Sequence, residues 1–304
     1  MTARLDAADA VRPSSPDRYY GVYLFDLDGT IYLGDELLPG ALEVLAALRA
    51  RGARVVFLSN NPTRDPQMYV EKLRRLGVPA ELDDVVNTVV STVDWLTANH
   101  PGATVYPIAE EPLVRALRAA GIRISEDPAE IDIVIASYDR AFDYRKLQIA
   151  FDAIWQHRRA FLITTNPDAY CPFPGGRGEP DAAAIVAAIE ASTGARCRVN
   201  TGKPDAVMVE TVLARLGASL DDAVMVGDRL ATDIRMARTA GIASALVLTG
   251  DSTVDDVARA DAADRPDHIL TRIDQLLPSG AGAGLPGSRA DETVGGKGGH
   301  ELPR

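Results

Sequence analysis

The chain of 304 residues has only two cysteines, Cys171 and Cys197, and four histidines, His100, His157, His268 and His300. Neither cysteine lies in a short CxxC spacing and no histidine falls in a metal-ligand pattern, so neither a zinc knuckle nor a disulfide scaffold is indicated. Basic residues are outnumbered, 32 Lys and Arg against 43 Asp and Glu, and no basic stripe offsets the formal charge of −11. Affinity for a phosphate backbone depends on clustered cations, so a nonspecific nucleic-acid partner is not expected. No apolar run is long enough to span a bilayer, and the first residues lack a charged start followed by an apolar stretch. The expectation is a cytoplasmic protein without a membrane partner.

What the chain does have is 46% hydrophobic and 25% charged residues, the balance of a globular protein, over a length that accommodates more than one folding unit. Residues 1–18, with Pro13 and Pro16, read as a mobile lead-in, and the glycine-rich stretch 278–304 as disordered. Between them strand-like runs alternate with helical patterns, the signature of an α/β fold with a parallel sheet. Strands are expected at 54–58, 103–108, 131–138, 160–165, 223–227 and 243–249, besides an opening one from Val22. Helices are expected at 40–51, 65–76, 110–120, 143–158, 181–192, 205–216 and 231–240, and a broken loop at 166–178.

Four short stretches carry polar chemistry where such strands end. Val22-Tyr23-Leu24-Phe25-Asp26-Leu27-Asp28-Gly29-Thr30 runs an apolar strand into two aspartates. Alternation places Asp26 and Asp28 on one face, and close carboxylates suit a hard cation such as Mg²⁺ or a shared proton; an Asp-Gly turn is the plain alternative. Ser59-Asn60-Asn61 offers a hydroxyl and backbone N–H groups able to hold phosphate oxygens, or is a polar turn. Lys203, between Gly202 and Pro204, precedes a helix N-terminus, a poor place for a cation unless an anion sits beside it. Asp228 follows a strand at Gly227, and Asp233 lies in the next helix's first turn; either could be an ordinary turn or helix-start acid.

Taken together, Asp26-Leu27-Asp28-Gly29-Thr30, Ser59-Asn60-Asn61, Gly202-Lys203-Pro204 and Gly227-Asp228-Arg229 through Asp233 resemble the four ordered motifs of the haloacid dehalogenase superfamily. Leu58-Ser59-Asn60-Asn61, Thr165-Asn166-Pro167-Asp168 and Gly227–Asp233 are similar to its subclass IIA phosphatases, which include p-nitrophenylphosphatase-like and sugar-phosphate enzymes. The resemblance covers about residues 20–275 and implies a Rossmann-like parallel-sheet core with an inserted α/β cap. Residues 31–58 leave no room for a lid, so the cap is assigned to 88–180 and the core to 19–87 and 181–277.

By that resemblance Asp26 is the nucleophile and Asp28 the acid and base. Ser59, Asn60 and Lys203 hold the phosphoryl group, and Asp26, Asp28 (through its carbonyl), Asp228 and Asp233 serve Mg²⁺. Asn166, Tyr170 and Arg177 are the expected specificity residues, although Arg177-Gly178-Glu179-Pro180-Asp181 departs from a more glycine-rich run common in the branch. The implied substrate is a small phosphorylated metabolite, a sugar or polyol phosphate first, with nucleotide or pyridoxal phosphate as alternatives. A homodimer through the cap rests on resemblance alone. Two other classes remain: a phosphotransferase or phosphomutase, whose lid usually lies between the first two motifs, and a receiver-type module, which needs neither the acid at position 28 nor a large cap.

Overall fold

The computed structural model describes residues 12–278, so residues 1–11 and the tail beyond 278, expected to be mobile and disordered, lie outside the described residues. Residues 12–18 correct part of that expectation. Ser14 N–H donates to the Ile269 carbonyl at 2.8 Å, Ile269 N–H returns the bond at 3.2 Å, and Pro16 is buried. Hydrogen bonding to a strand edge ties this stretch down.

The chain opens with β1 (Val22–Asp26), a small hairpin of β2 (Tyr32–Leu33) and β3 (Glu36–Leu37), α1 (Ala41–Ala50), β4 (Arg54–Ser59), α2 (Pro66–Arg75) and β5 (Val85–Asn87). It continues through α3 (Thr88–Asn99), β6 (Thr104–Ile108), α4 (Glu111–Ala119), β7 (Arg123–Ile124), β8 (Ile133–Ala136), α5 (Tyr144–Phe151) and β9 (Phe161–Thr164). A hairpin of β10 (Tyr170–Phe173) and β11 (Arg177–Pro180), then α6 (Ala182–Thr193) and β12 (Val199–Asn200), leads to α7 (Val207–Leu216) and β13 (Ala223–Gly227). The last elements are α8 (Arg235–Ala240), β14 (Ala243–Val247), α9 (Val254–Arg259) and β15 (His268–Leu270).

Six strands form a parallel sheet in the order β15-β14-β13-β1-β4-β5. Alternation along β1 sends Tyr23 and Phe25 into a cluster with Leu45 and Leu48 of α1, and Val22 and Leu24 into another with Met208 and Val212 of α7. Both faces are therefore covered, which is why β1 reads as an unbroken apolar run. The register sets Asp26 opposite Leu58 on one side and Phe25 opposite Val226 on the other. Three strand ends thus deliver Asp26, Ser59 and Asp228 to one edge, the place where open α/β sheets bind ligands.

The second sheet, β12-β9-β8-β6-β7, is parallel too. Ile149 of α5 and Ile185 and Ile189 of α6 pack on one face, and Leu96 of α3 with Leu113 and Leu117 of α4 on the other. Residues 182–200, expected in the core unit, pack here, because α6 buries its isoleucines against Ile108 and Leu162 and β12 pairs with β9. We therefore propose 88–200 as the inserted unit.

Three further differences have local causes. The sequence reading passed over β5 and α3; the latter is rich in β-branched Thr and Val, poor intrinsic helix formers, and is held by Asn87 accepting from Val90 N–H at 3.2 Å and by burial of Val89 and Leu96. The expected loop 166–178 contains half of an antiparallel hairpin, with Tyr170 opposite Pro180 and Gly175 and Gly176 at positive φ in the turn. The helices expected at 143–158 and 231–240 each contain a π-helical turn, Asp152–Gln156 and Leu230–Ile234.

Candidate active site

β1 ends at Asp26, so the alternation that put Asp26 and Asp28 on one face stops before Asp28, which instead bridges to Tyr32. Gly29 turns the chain at φ +86°, with its N–H donating to the Tyr32 carbonyl at 2.7 Å. A Cβ at Gly29 would meet the Asp228 carboxylate at 2.6 Å, so close approach as well as backbone conformation demands glycine there. Asp28 is exposed and lies outside the carboxylate cluster.

That cluster is Asp26, Asp228 and Asp233, whose ligand oxygens all lie within 4.8 Å of one another. Asp228 follows β13 directly, with Oδ2 accepting from Asp251 N–H at 2.7 Å. Asp233 comes inward on the π turn, where Arg235 N–H reaches back to the Leu230 carbonyl, and its Oδ2 accepts from Arg229 N–H at 3.1 Å. Lys203 spans the group: its ammonium lies 2.5 Å from Asp26 Oδ1 and 2.7 Å from Asp233 Oδ1, with only 3% of the side chain exposed.

Burial pushes the Asp26 carboxyl up to about 8; Lys203 opposes the rise, while Asp233 and Asp228 add to it. Asp228 is pushed up to about 6, by burial first and Asp233 second. Burial works against the Lys203 ammonium, but the Asp233 and Asp26 carboxylates outweigh it and hold its pKa above the ordinary lysine value. The site therefore combines a fixed cation with more carboxylate charge than that cation balances.

Three carboxylates offer hard oxygen ligands, and Asp228 Oδ1 is buried without a hydrogen-bond partner. Such an orphaned acceptor is costly unless something positive meets it, so the residues fit a hard divalent cation such as Mg²⁺.

Ser59 Oγ stands 2.9 Å from the Tyr69 hydroxyl and accepts from Asn61 N–H at 3.3 Å. Asn60 belongs to a stretch expected to hold phosphate through a hydroxyl and backbone N–H groups; its side chain is engaged elsewhere. Its Oδ1 accepts from Lys203 N–H at 2.7 Å, and its Nδ2 donates to the Lys203 carbonyl at 3.1 Å and to Asp168 Oδ2 at 3.2 Å. It fixes the backbone that carries Lys203. Gly202 beside it is packed so closely that a Cβ would stand 2.7 Å from Asn60 Oδ1 and 2.8 Å from Thr88 Cγ2.

Asn166, expected to read substrate, is fully buried, its Oδ1 accepting from Asp168 N–H at 3.0 Å and its Nδ2 reaching the Asn60 carbonyl at 3.4 Å. It ties the loop after β9 to the loop after β4 and presents no free surface. Tyr170 is exposed, and Arg177, also exposed, pairs with Glu179, which accepts from the Tyr138 hydroxyl.

Asp168, quoted only within a motif of the sequence, Tyr69 and the Thr249–Ser252 loop had no role assigned from the sequence. Thr249 Oγ1 donates to the Gly29 carbonyl at 2.7 Å, Asp251 N–H holds Asp228, and Ser252 Oγ accepts from Leu230 N–H at 3.1 Å. This loop follows β14 with a Gly-Asp pair, the same strand-end signal that marked the other stretches. Nothing local marks Tyr69, one apolar position of an amphipathic helix.

A family model described as haloacid dehalogenase-like hydrolase matches residues 23–123, and a second, HAD-hydrolase-like, matches 200–276. An acid sugar phosphatase of Staphylococcus epidermidis is 36% identical over 240 residues, which are 79% of this chain and 91% of that protein. Among solved structures, a 4-nitrophenylphosphatase from Thermotoga maritima superposes with a TM-score of 0.77 at 36% identity, covering 84% of this chain and 96% of that one. A glycerol phosphate phosphatase from Mycobacterium tuberculosis in complex with magnesium gives 0.76 at 31% identity, over 87% of this chain and 78% of that one.

Proposed function

The chain belongs to the subclass IIA phosphatases of the haloacid dehalogenase superfamily, and from that premise we propose that it hydrolyses small sugar or polyol phosphate monoesters with Asp26 as nucleophile. The observation that carries this reading is Asp26 at the end of β1, with Lys203 at 2.5 Å and Asp228 and Asp233 beside it. The sugar-type substrate rests on the names of relatives.

In this reading an Asp26 oxygen attacks phosphorus in line, and the bond to the leaving oxygen breaks as Asp28 supplies its proton. The resulting aspartyl phosphate is hydrolysed when Asp28, now the base, takes a proton from the incoming water, which returns Asp26 and frees inorganic phosphate. Lys203 and the Ser59 hydroxyl hold phosphoryl oxygens throughout; Asn60 contributes by keeping Lys203 in place. Held by Asp26, Asp228, the Asp28 carbonyl and Asp233, Mg²⁺ would supply charge neutralisation at the reacting phosphoryl group. Discrimination among esters is assigned to the hairpin of β10 and β11, where Tyr170 and Arg177 are exposed.

The test is phosphate release from p-nitrophenyl phosphate and a panel of sugar and polyol phosphates with Mg²⁺, for the parent and Asp26→Asn. Turnover should fall by about 10³-fold or more while the fold is kept, since the change removes the nucleophile and preserves its shape. Residual turnover near the parent rate would sink the assignment.

A further inference from the structure

Ser59 Oγ can donate one hydrogen bond and accept two. Asn61 N–H fills one acceptor position at 3.3 Å, and the Tyr69 hydroxyl lies at 2.9 Å with either oxygen able to be the donor. The direction of that second bond decides what Ser59 can do. If Ser59 gave its proton to Tyr69, it would turn a lone pair toward an arriving phosphoryl oxygen and repel it. If Tyr69 donates, both acceptor positions of Ser59 are filled and its own proton must find a third group.

We propose that Tyr69 is a positioning residue that donates to Ser59 and thereby directs the Ser59 proton at the phosphoryl group of the substrate, a role that rests on the reading of Ser59 above. Three observations support it. Tyr69 is 4% exposed, so its hydroxyl proton needs a protein acceptor, and Ser59 Oγ is within reach. Burial raises the pKa of the phenol and outweighs the hydrogen bond with Ser59 and the charge of Arg64, which lower it, so it keeps its proton in the working pH range. Tyr69 also lies in the core cluster with Val70 and Leu73 of α2, which fixes the ring and hence the place of its hydroxyl oxygen beside Ser59.

The experiment is a double-mutant cycle with Tyr69→Phe, Ser59→Ala and the combination, read as kcat, KM for p-nitrophenyl phosphate and the competitive inhibition constant of inorganic phosphate. Y69F should lower kcat/KM by about 5- to 20-fold, with inorganic phosphate binding weakened in parallel. In the S59A background the same change should have almost no further effect, because the proton it directs is gone. A partly unfolded variant lowers kcat but leaves the inhibition constant of the surviving enzyme unchanged, so a purely structural effect is separable. Equal losses from Y69F with and without the Ser59 hydroxyl, or an unaltered inhibition constant, overturn the positioning role. If S59A alone leaves kcat/KM and phosphate affinity at parent values, the phosphate-holding reading of Ser59 fails, and this proposal with it.

Discussion

Replacing Gly202 by alanine tests the packing that carries Lys203. The added Cβ would stand 2.7 Å from Asn60 Oδ1 and 2.8 Å from Thr88 Cγ2, and closer still to the Thr165 carbonyl oxygen. That carbonyl belongs to the backbone just after β9 and cannot rotate away, so the chain around residue 202 must shift. Overpacking of this kind costs about 1–3 kcal/mol, and loss of the 2.7 Å bond from Lys203 N–H to Asn60 Oδ1 adds about 1 kcal/mol. A total of about 2–4 kcal/mol corresponds to a fall in Tm of roughly 3–6 °C for a chain of this size. The catalytic loss should be larger in proportion, because the same shift moves the ammonium now 2.5 Å from Asp26. A misplacement of about 1 Å in a positioned group can cost about 10²-fold in rate. Thermal unfolding and kcat/KM on p-nitrophenyl phosphate, measured on the same preparation well below Tm, separate the two effects. Parent kcat/KM together with an unchanged Tm would refute the claim that this glycine is dictated by close packing around Lys203.

Two other substitutions probe the carboxylates. Gly250→Ala would place a Cβ 2.6 Å from Asp228 Cγ and 2.7 Å from Asp228 Cβ, so Asp228 must move; the Mg²⁺ concentration for half-maximal activity should rise by about 10-fold or more, and superimposable Mg²⁺ titrations would show that Asp228 takes no part in metal binding. Asp181 is buried and its pKa is raised from 3.8 to about 6, first by desolvation. Between those values the native state holds more protons than the unfolded chain, so this group's contribution to stability falls as pH rises from about 4 to about 6, a change of up to about 3 kcal/mol. In urea unfolding Asp181→Asn should be more stable than the parent at pH 7.5, by a margin that shrinks to about 1 kcal/mol at pH 4.5; parallel pH profiles would contradict this.

The local pattern of the chain was enough to single out Asp26, Ser59, Lys203, Asp228 and Asp233, because unbroken apolar runs such as Val22–Phe25 and Val55–Leu58 mark strands buried on both faces, and polar residues such as Asp26, Ser59 and Asp228 fall where those strands stop. It was also enough for most helices, whose apolar spacing and glycine ends are properties of a few turns. What lay beyond it depended on partners distant in sequence. Asn60 and Asn166 look like exposed site polar residues in the sequence, yet the fold turns both inward, Asn60 onto the Lys203 backbone and Asn166 onto Asp168 and the Asn60 carbonyl. α3 has weak intrinsic helix propensity and exists because both sheets' clusters give its valines and leucine a place to bury. The return point proposed for the inserted unit rests on which sheet β12 pairs with, a choice between long-range partners that no window of residues encodes. Tyr69 shows the same limit at atomic scale: spacing makes it a core position of α2, and only the approach of β4 beneath it brings its hydroxyl to Ser59.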